Sequence, residues 1–328
     1  MLDLAWYCPS EGDGRHLGTR APERPPTFGY LLRVTQAAER AGAREILIPT
    51  GAINDSFAPD APFSESWTTA AALAARTHAI RLIVALTPAG ISAALAAHQA
   101  ETLERIAPGR IAINLVAGGG PEDGYGHEPV GHTARYQRLE AFAVELRTRF
   151  GGPLYLGGAS DEATALAARV VDTYLMWGER PDQIAARVEA MRWRAGRPMR
   201  FGLRIHIIAR RSERDARSAA TELLAFAAVQ ADRAGEYSGF DSVGQARMNA
   251  IPADPDAWVA PGLWAGIRSV RGGAGTALVG SYAQVAEWLR RYRDAGINMV
   301  IASGYPHLEE VGRIGRRVWT RLAEPALA

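Results

Sequence analysis

The stretch that decides the fold begins Pro153-Leu154-Tyr155-Leu156-Gly157-Gly158-Ala159-Ser160, continues through Asp161 to Val171, and ends Asp172-Thr173-Tyr174-Leu175-Met176-Trp177. Pro153–Gly158 and Asp172–Trp177 are short runs without polar alternation, and the segment between them reads as a helix over Glu162–Val170. Strands apolar on both faces belong in a parallel sheet covered by helices. The same unit repeats in both directions. Further strands are expected at Asp3–Cys8, Glu45–Pro49, Arg81–Leu86, Arg110–Ala117, Arg200–Ala209 and Asn298–Gly304. Helices are expected at Tyr30–Ala41, Trp67–Arg76, Ser92–Ile106, Thr133–Phe150, Pro181–Arg194, Glu213–Arg233 and near His307–Leu322. Pro181 sits at a first helical position, Ser281 with Gln284 forms a capping-box pair, and Gly296 follows a helix ending in Arg291, Arg293 and Ala295. Eight strand–helix units in alternation predict a (β/α)8 TIM barrel, with a doubly wound open sheet as the alternative. The expected organisation is one domain over 1–328, with insertion loops near 51–66 and 236–281, lengths more typical of lids or binding loops than of linkers.

Composition narrows the function. The 37 basic and 35 acidic residues leave a net charge of +2, which does not give the basic face of a nucleic-acid or membrane-surface protein. No apolar run approaches the roughly 20 residues of a membrane span. Met1 to Tyr7 reads as the start of the first strand and not as a signal peptide. A lone cysteine, Cys8, excludes an internal disulfide or a cysteine-held metal cluster and fits a reducing, cytoplasmic compartment. All 37 basic residues are arginine. Without lysine there is no pyridoxal-phosphate enzyme, no Schiff-base aldolase and no Walker A loop.

In a barrel, chemistry belongs at the C-terminal ends of the strands, and the unusual residues fall there. Glu11 and Asp13 follow the first strand, Asn114 and Gly118-Gly119-Gly120 the fourth, and Trp177-Gly178-Glu179 the sixth. Gly157-Gly158-Ala159-Ser160, between a strand and a helix, reads either as a phosphate-binding turn or as a tight turn with a serine N-cap. Arg204 and His206, two apart on a strand, share one face. An arginine there calls for an anion and a neighbouring histidine suits proton relay, or both pair with carboxylates at the rim. Arg271-Gly272-Gly273-Ala274-Gly275-Thr276 reads as a lid bringing Arg271 to an anion or as a plain mobile loop. His127 and His132 match no metal-ligand spacing, and no metal site is expected.

Longer strings carry a resemblance. Ile48-Pro49-Thr50-Gly51, Tyr174-Leu175-Met176-Trp177-Gly178-Glu179, Arg204-Ile205-His206 and Leu263-Trp264-Ala265-Gly266 resemble the flavin-dependent alkanesulfonate monooxygenases of the bacterial luciferase-like superfamily. So do Arg271 to Gly280 and Ser303-Gly304-Tyr305-Pro306-His307-Leu308-Glu309-Glu310. The resemblance implies a TIM barrel using reduced FMN (FMNH2), delivered by a separate NAD(P)H:flavin reductase, and O2 to cleave a sulfonate into aldehyde and sulfite. It implies Gly158, Ala159 and Ser160 at the FMN phosphate, and Asn114 and Tyr136 at the flavin. Arg204, His206, Arg271 and Tyr305 match catalytic positions, and Trp177, Arg204 and Arg271 line the substrate pocket. A homo-oligomer, dimer or tetramer, is implied as well. Glu11 stands at a pocket position where the family has histidine. The loop Ala52-Ile53-Asn54-Asp55 lacks the family's cysteine, and Thr87-Pro88 lacks an arginine before the proline. These departures keep open a non-sulfonate substrate (a sulfone, an amine or a heterocycle) and, behind it, flavin binding without turnover.

Overall fold

The computed structural model describes residues 2–51, 53–54, 56–118, 130–227, 242–252 and 256–322. Its strands are β1 (Asp3–Tyr7), β2 (Glu45–Ile48), β3 (Arg81–Leu86), β4 (Ile111–Leu115), β5 (Leu154–Gly157), β6 (Thr173–Trp177), β7 (Arg200–Arg210), β8 (Trp258–Ala260), β9 (Leu263–Trp264), β10 (Ala277–Ser281) and β11 (Met299–Ser303). β1 to β7 and β11 form a parallel ring that closes where β7 meets β11, with Ser303 opposite His206. The fold is the expected (β/α)8 barrel and not the open sheet.

Helices α1 (Phe28–Arg40), α2 (Ser66–Ala74), α3 (Ala93–Ile106), α4 (His132–Arg147), α5 (Asp161–Val170), α6 (Pro181–Ala195), α7 (Glu213–Leu223), α8 (Val243–Asn249), α9 (Tyr282–Asp294) and α10 (His307–Arg317) accompany the strands. Local chemistry sets their ends. Thr27 caps α1 by accepting the Tyr30 N–H, and Ser281 and Gln284 exchange bonds at the start of α9. Gly296 follows α9 with φ +97°, a conformation glycine adopts without steric cost. The expected helix Glu213–Arg233 ends at Leu223, and residues 228–233 lie outside the described ones. His307–Leu322 divides into α10 and a short 3-10 turn over Trp319–Leu322.

Alternation along each strand builds two apolar layers. Ala5, Ile83, Ala85, Ala112, Leu175, Met299 and Ile301 pack inside the ring, while Leu4, Trp6, Ile46 and Leu82 face the helices. At the N-terminal end, Glu45 accepts the Tyr155 hydroxyl at 2.7 Å and pairs with Arg81 at 3.0 Å and Arg200 at 3.5 Å. That plug leaves the C-terminal end for a ligand. The segment 236–281, read as an insertion loop, holds structure of its own. β10 runs parallel to the outer half of β7, Ala277 opposite His206, and β9 pairs antiparallel with β10. Residues 236–241 and 253–255 of that segment, and Ala52 and Asp55 of the other, lie outside the described ones. Among the described residues no helix is long and apolar enough to cross a membrane.

Candidate active site

A cavity of about 360 Å³ opens at the C-terminal ends of the strands, a size that holds a small ligand or a cofactor ring. β7 furnishes its chemistry. Gly202 on this strand lies against Leu175 and Met299 of the inner layer, so Arg204 and His206, two and four residues on, point inward. Arg204 is only 7% exposed. Among the described residues its hydrogen bonds go to neutral acceptors alone, Ser303 Oγ at 2.9 Å and the Ile205 and Ile301 carbonyls at 3.2 and 3.5 Å. Its guanidinium lies 4.3 Å from the centre of the Tyr7 ring. Burial pushes its pKa down to about 10, Tyr7 opposing and the charge of Arg271 reinforcing the shift. A buried cation without a carboxylate partner is costly unless an anion completes it.

His206 is fixed by its neighbours. Its Nε2 lies 2.8 Å from the Ala274 carbonyl and its Nδ1 2.7 Å from Ser303 Oγ. A carbonyl only accepts, so the network assigns the ring proton to Nε2. In the neutral ring Nδ1 then accepts from Ser303, whose oxygen accepts from Arg204. One directional chain therefore runs from Arg204 through Ser303 and His206 to the glycine-rich loop. Burial, followed by the charges of Arg204 and Arg271, holds His206 well below the ordinary histidine pKa. The Tyr305 ring stacks on His206, with centroids 5.7 Å apart.

The second arginine sits differently. Arg271 donates to the Tyr305 hydroxyl at 2.7 Å and pairs with Glu11 at 3.2 Å. Glu11 also accepts the Tyr7 hydroxyl at 3.0 Å and a short bond from Ser56, and its backbone carbonyl accepts Asn54 Nδ2 at 2.7 Å. The loops after β1 and β2 thus meet the glycine-rich loop on one buried carboxylate. That loop is bonded along its length. The Gly273 N–H donates to Gln245, the Ala274 carbonyl holds His206, and the Thr276 hydroxyl donates to the Gly178 carbonyl.

The far end of the cavity is the turn after β5. Gly158 has φ +146°, and a Cβ there would lie 2.6 Å from Ala163 Cβ and 3.1 Å from the Tyr136 hydroxyl. Only glycine fits the backbone conformation and the space. Ser160 caps α5, its Oγ accepting the Ala163 N–H at 3.1 Å, so the capping role is real whatever the turn receives. Asn114 lines the cavity with a buried Oδ1 that has no hydrogen-bond partner among the described residues. Trp177 lines the wall between the two ends and packs near Gly244 of α8. Glu179, which pairs with Arg187 of α6 and lies 3.6 Å from Arg247 of α8, adds a second two-arginine, one-carboxylate group to the lining. Those three charges reach the Tyr174 hydroxyl, which donates to the Gly158 carbonyl. Among the described residues no three His, Cys, Asp or Glu side chains are grouped to hold a metal ion.

The model of the luciferase-like monooxygenase family matches residues 2–147 and 128–299, nearly the whole barrel. The chain belongs to the luciferase-like monooxygenase family. Solved structures share the fold at low identity. Riboflavin lyase, solved with modified FMN and riboflavin, superposes with a TM-score of 0.76 at 16% identity, over 99% of this chain and 92% of its own. EDTA monooxygenase from Chelativorans sp. BNC1 gives 0.76 at 16%, covering 98% and 93%. An F420-dependent secondary alcohol dehydrogenase, in complex with an F420–acetone adduct, gives 0.68 at 14%, covering 98% and 99%. One fold thus serves both FMN and F420.

In this luciferase-like barrel, eight of the expected site residues line the cavity: Glu11, Asn114, Tyr136, Gly158, Ala159, Trp177, Arg204 and Arg271. His206, Ser160 and Tyr305 stand behind that lining, as a link, a helix cap and a support for Arg271. Gly119, Gly120 and His127 lie outside the described residues. Sequence reasoning missed Tyr7, Ser56, Tyr174, Arg187, Arg247 and the part played by Ser303. Ser303 opens one of the strings that carry the resemblance, and Tyr174 and Glu179 bound another. The rest are ordinary residue types whose partners come from distant segments.

Proposed function

We propose that this chain is a two-component monooxygenase that uses reduced FMN and O2 to cleave an alkanesulfonate to an aldehyde and sulfite. A separate NAD(P)H:flavin reductase supplies the flavin. The observation that carries the reading is Arg204, a buried guanidinium that faces the cavity and bonds only to neutral acceptors among the described residues. The other end of the cavity suits the cofactor. The Gly158 turn admits a phosphate to the first turn of α5, and the unpartnered Asn114 acceptor suits a flavin ring N–H. When bound, reduced FMN supplies two electrons, with which one atom of O2 enters the substrate carbon and the other leaves as water.

Arg204 binds the sulfonate oxygens and, as the carbon–sulfur bond breaks, meets the charge that grows on departing sulfite. Ser303 and His206 aim that guanidinium, and His206 acts by position, its ring proton being committed to Ala274. Trp177 contributes apolar wall beside the reacting carbon. The test supplies enzymatically reduced FMN in air with a panel of alkanesulfonates and measures sulfite and aldehyde. Wild type should release both in equal amounts. Arg204→Ala should lose on the order of a hundredfold in kcat/KM, and Arg204→Lys should recover only part, since an ammonium lacks the planar fork. Hydrogen peroxide as the sole product with every sulfonate would overturn the reading.

A further inference from the structure

The cavity holds two arginines at its Arg204 end but the net charge of one. Arg271 is paired with Glu11, whose carboxylate also takes the hydroxyls of Tyr7 and Ser56. Glu11 and Arg271 each have side chains 8% exposed, so their mutual attraction is little screened. Arg204, whose acceptors are a serine and two carbonyls, has no such partner among the described residues. An incoming dianion would need both guanidinium charges and would face the Glu11 carboxylate across Arg271. A monoanion needs Arg204 alone.

We infer that Glu11 is a charge selector: by neutralising Arg271 it restricts the Arg204 end of the cavity to ligands carrying a single negative charge. Sulfonates and carboxylates meet that condition. Phosphonate dianions and disulfonates do not. The inference rests on reading the Arg204 end as the place of the substrate's acidic group, but it requires neither flavin nor turnover. The contacts also explain how this chain tolerates an acid in an anion-binding pocket, since the carboxylate is taken up by three donors before any ligand arrives.

The test uses two tetrahedral probes of similar size, methanesulfonate with one charge and sulfate with two. Each is titrated calorimetrically into the full-length protein free of cofactor. Binding at this end is the part abolished by Arg204→Ala, which separates it from anion binding at the Gly158 turn. Methanesulfonate should bind at least about tenfold tighter than sulfate, the least effect expected of an opposing unit charge in a partly buried site. Glu11→Gln, which retains an acceptor for Tyr7 and Ser56, should raise sulfate affinity about tenfold or more while leaving methanesulfonate within about threefold. Ser56→Ala removes one donor but keeps the charge, and should leave the preference as in wild type. The inference is overturned if Glu11→Gln leaves the ratio unchanged, if Ser56→Ala shifts it equally, or if wild type binds sulfate as well as methanesulfonate. None of these results depends on sulfite release, so failure here is distinct from failure of the oxygenase reading.

Discussion

Two buried histidines show how single side chains couple this site to the stability of the whole. His206 and His307 are both held well below the ordinary histidine pKa, by burial first and then by the charges of Arg204 and Arg271. Below about pH 6.5 the unfolded chain binds a proton at each, whereas the folded protein does not. Stability from these two groups is therefore complete above that pH and is lost as pH falls, by about 1.4 kcal/mol per pH unit for each. Asp13 acts in the opposite sense. Burial raises its pKa to about 7 against the donors from Tyr30, His307 and Gly14, so its contribution declines as pH rises through the range from the ordinary carboxylate value to 7. A difference measurement isolates one histidine. His307→Phe keeps a ring against Trp6 and Tyr305 and should flatten urea-unfolding stability between pH 6 and 5 by about 1.4 kcal/mol per unit. An unchanged slope would mean that His307 titrates normally in the folded state. Little at this scale was legible in the sequence. Arg204 and His206 announced themselves by spacing, but the Glu11–Arg271 pair spans 260 positions and only the closed ring brings it together.

The turn between β5 and α5 carries one role on view and one proposed. Ser160 caps α5, and in the proposed function the same turn receives the FMN phosphate at the helix N-terminus. Substitution separates the roles. Aspartate caps as well as serine does, so Ser160→Asp should leave thermal stability within about 0.5 kcal/mol of wild type. The added negative charge should weaken FMN binding by about tenfold or more if the phosphate lies there. Unchanged FMN affinity in a stable Ser160→Asp protein would leave the turn as a helix cap alone. Elements were the most legible level. Continuous apolar runs marked most of the eight barrel strands because they are buried on both faces, while the strand from Arg200 to Arg210 is interrupted by Arg204 and His206. β10 escaped because Ala277-Leu278-Val279 is short and ends in glycine, and its place depends on β7 extending beyond the ring to pair with it. The helix cues at Pro181, Ser281 and Gly296 held because they are satisfied within a few residues.

For the molecule as a whole, the barrel divides its labour between its ends. The Glu45 ion-pair plug with Arg81, Arg200 and Tyr155 closes the bottom. The open top collects two groups of two arginines and one glutamate: Glu11 pairs with Arg271 while the neighbouring Arg204 bonds to neutral acceptors, and Glu179 pairs with Arg187 and lies near Arg247. The eight-unit repeat made the ring foreseeable, and the rule that barrel chemistry lies at strand C-termini pointed to the end where the cavity opens. Which charges cancel there was not foreseeable, since that is settled by side-chain reach across strands. The reading as an FMN enzyme requires the cofactor's phosphate to be held at one end so that its ring faces the anion site at the other. The most direct test is an equilibrium titration of the purified protein with FMN, riboflavin and coenzyme F420 under the same conditions. Charge-assisted hydrogen bonds are worth about 1.5–3 kcal/mol each, so FMN should bind at least about tenfold tighter than riboflavin, and tighter than F420. Equal affinities for FMN and riboflavin, or a preference for F420, would contradict it.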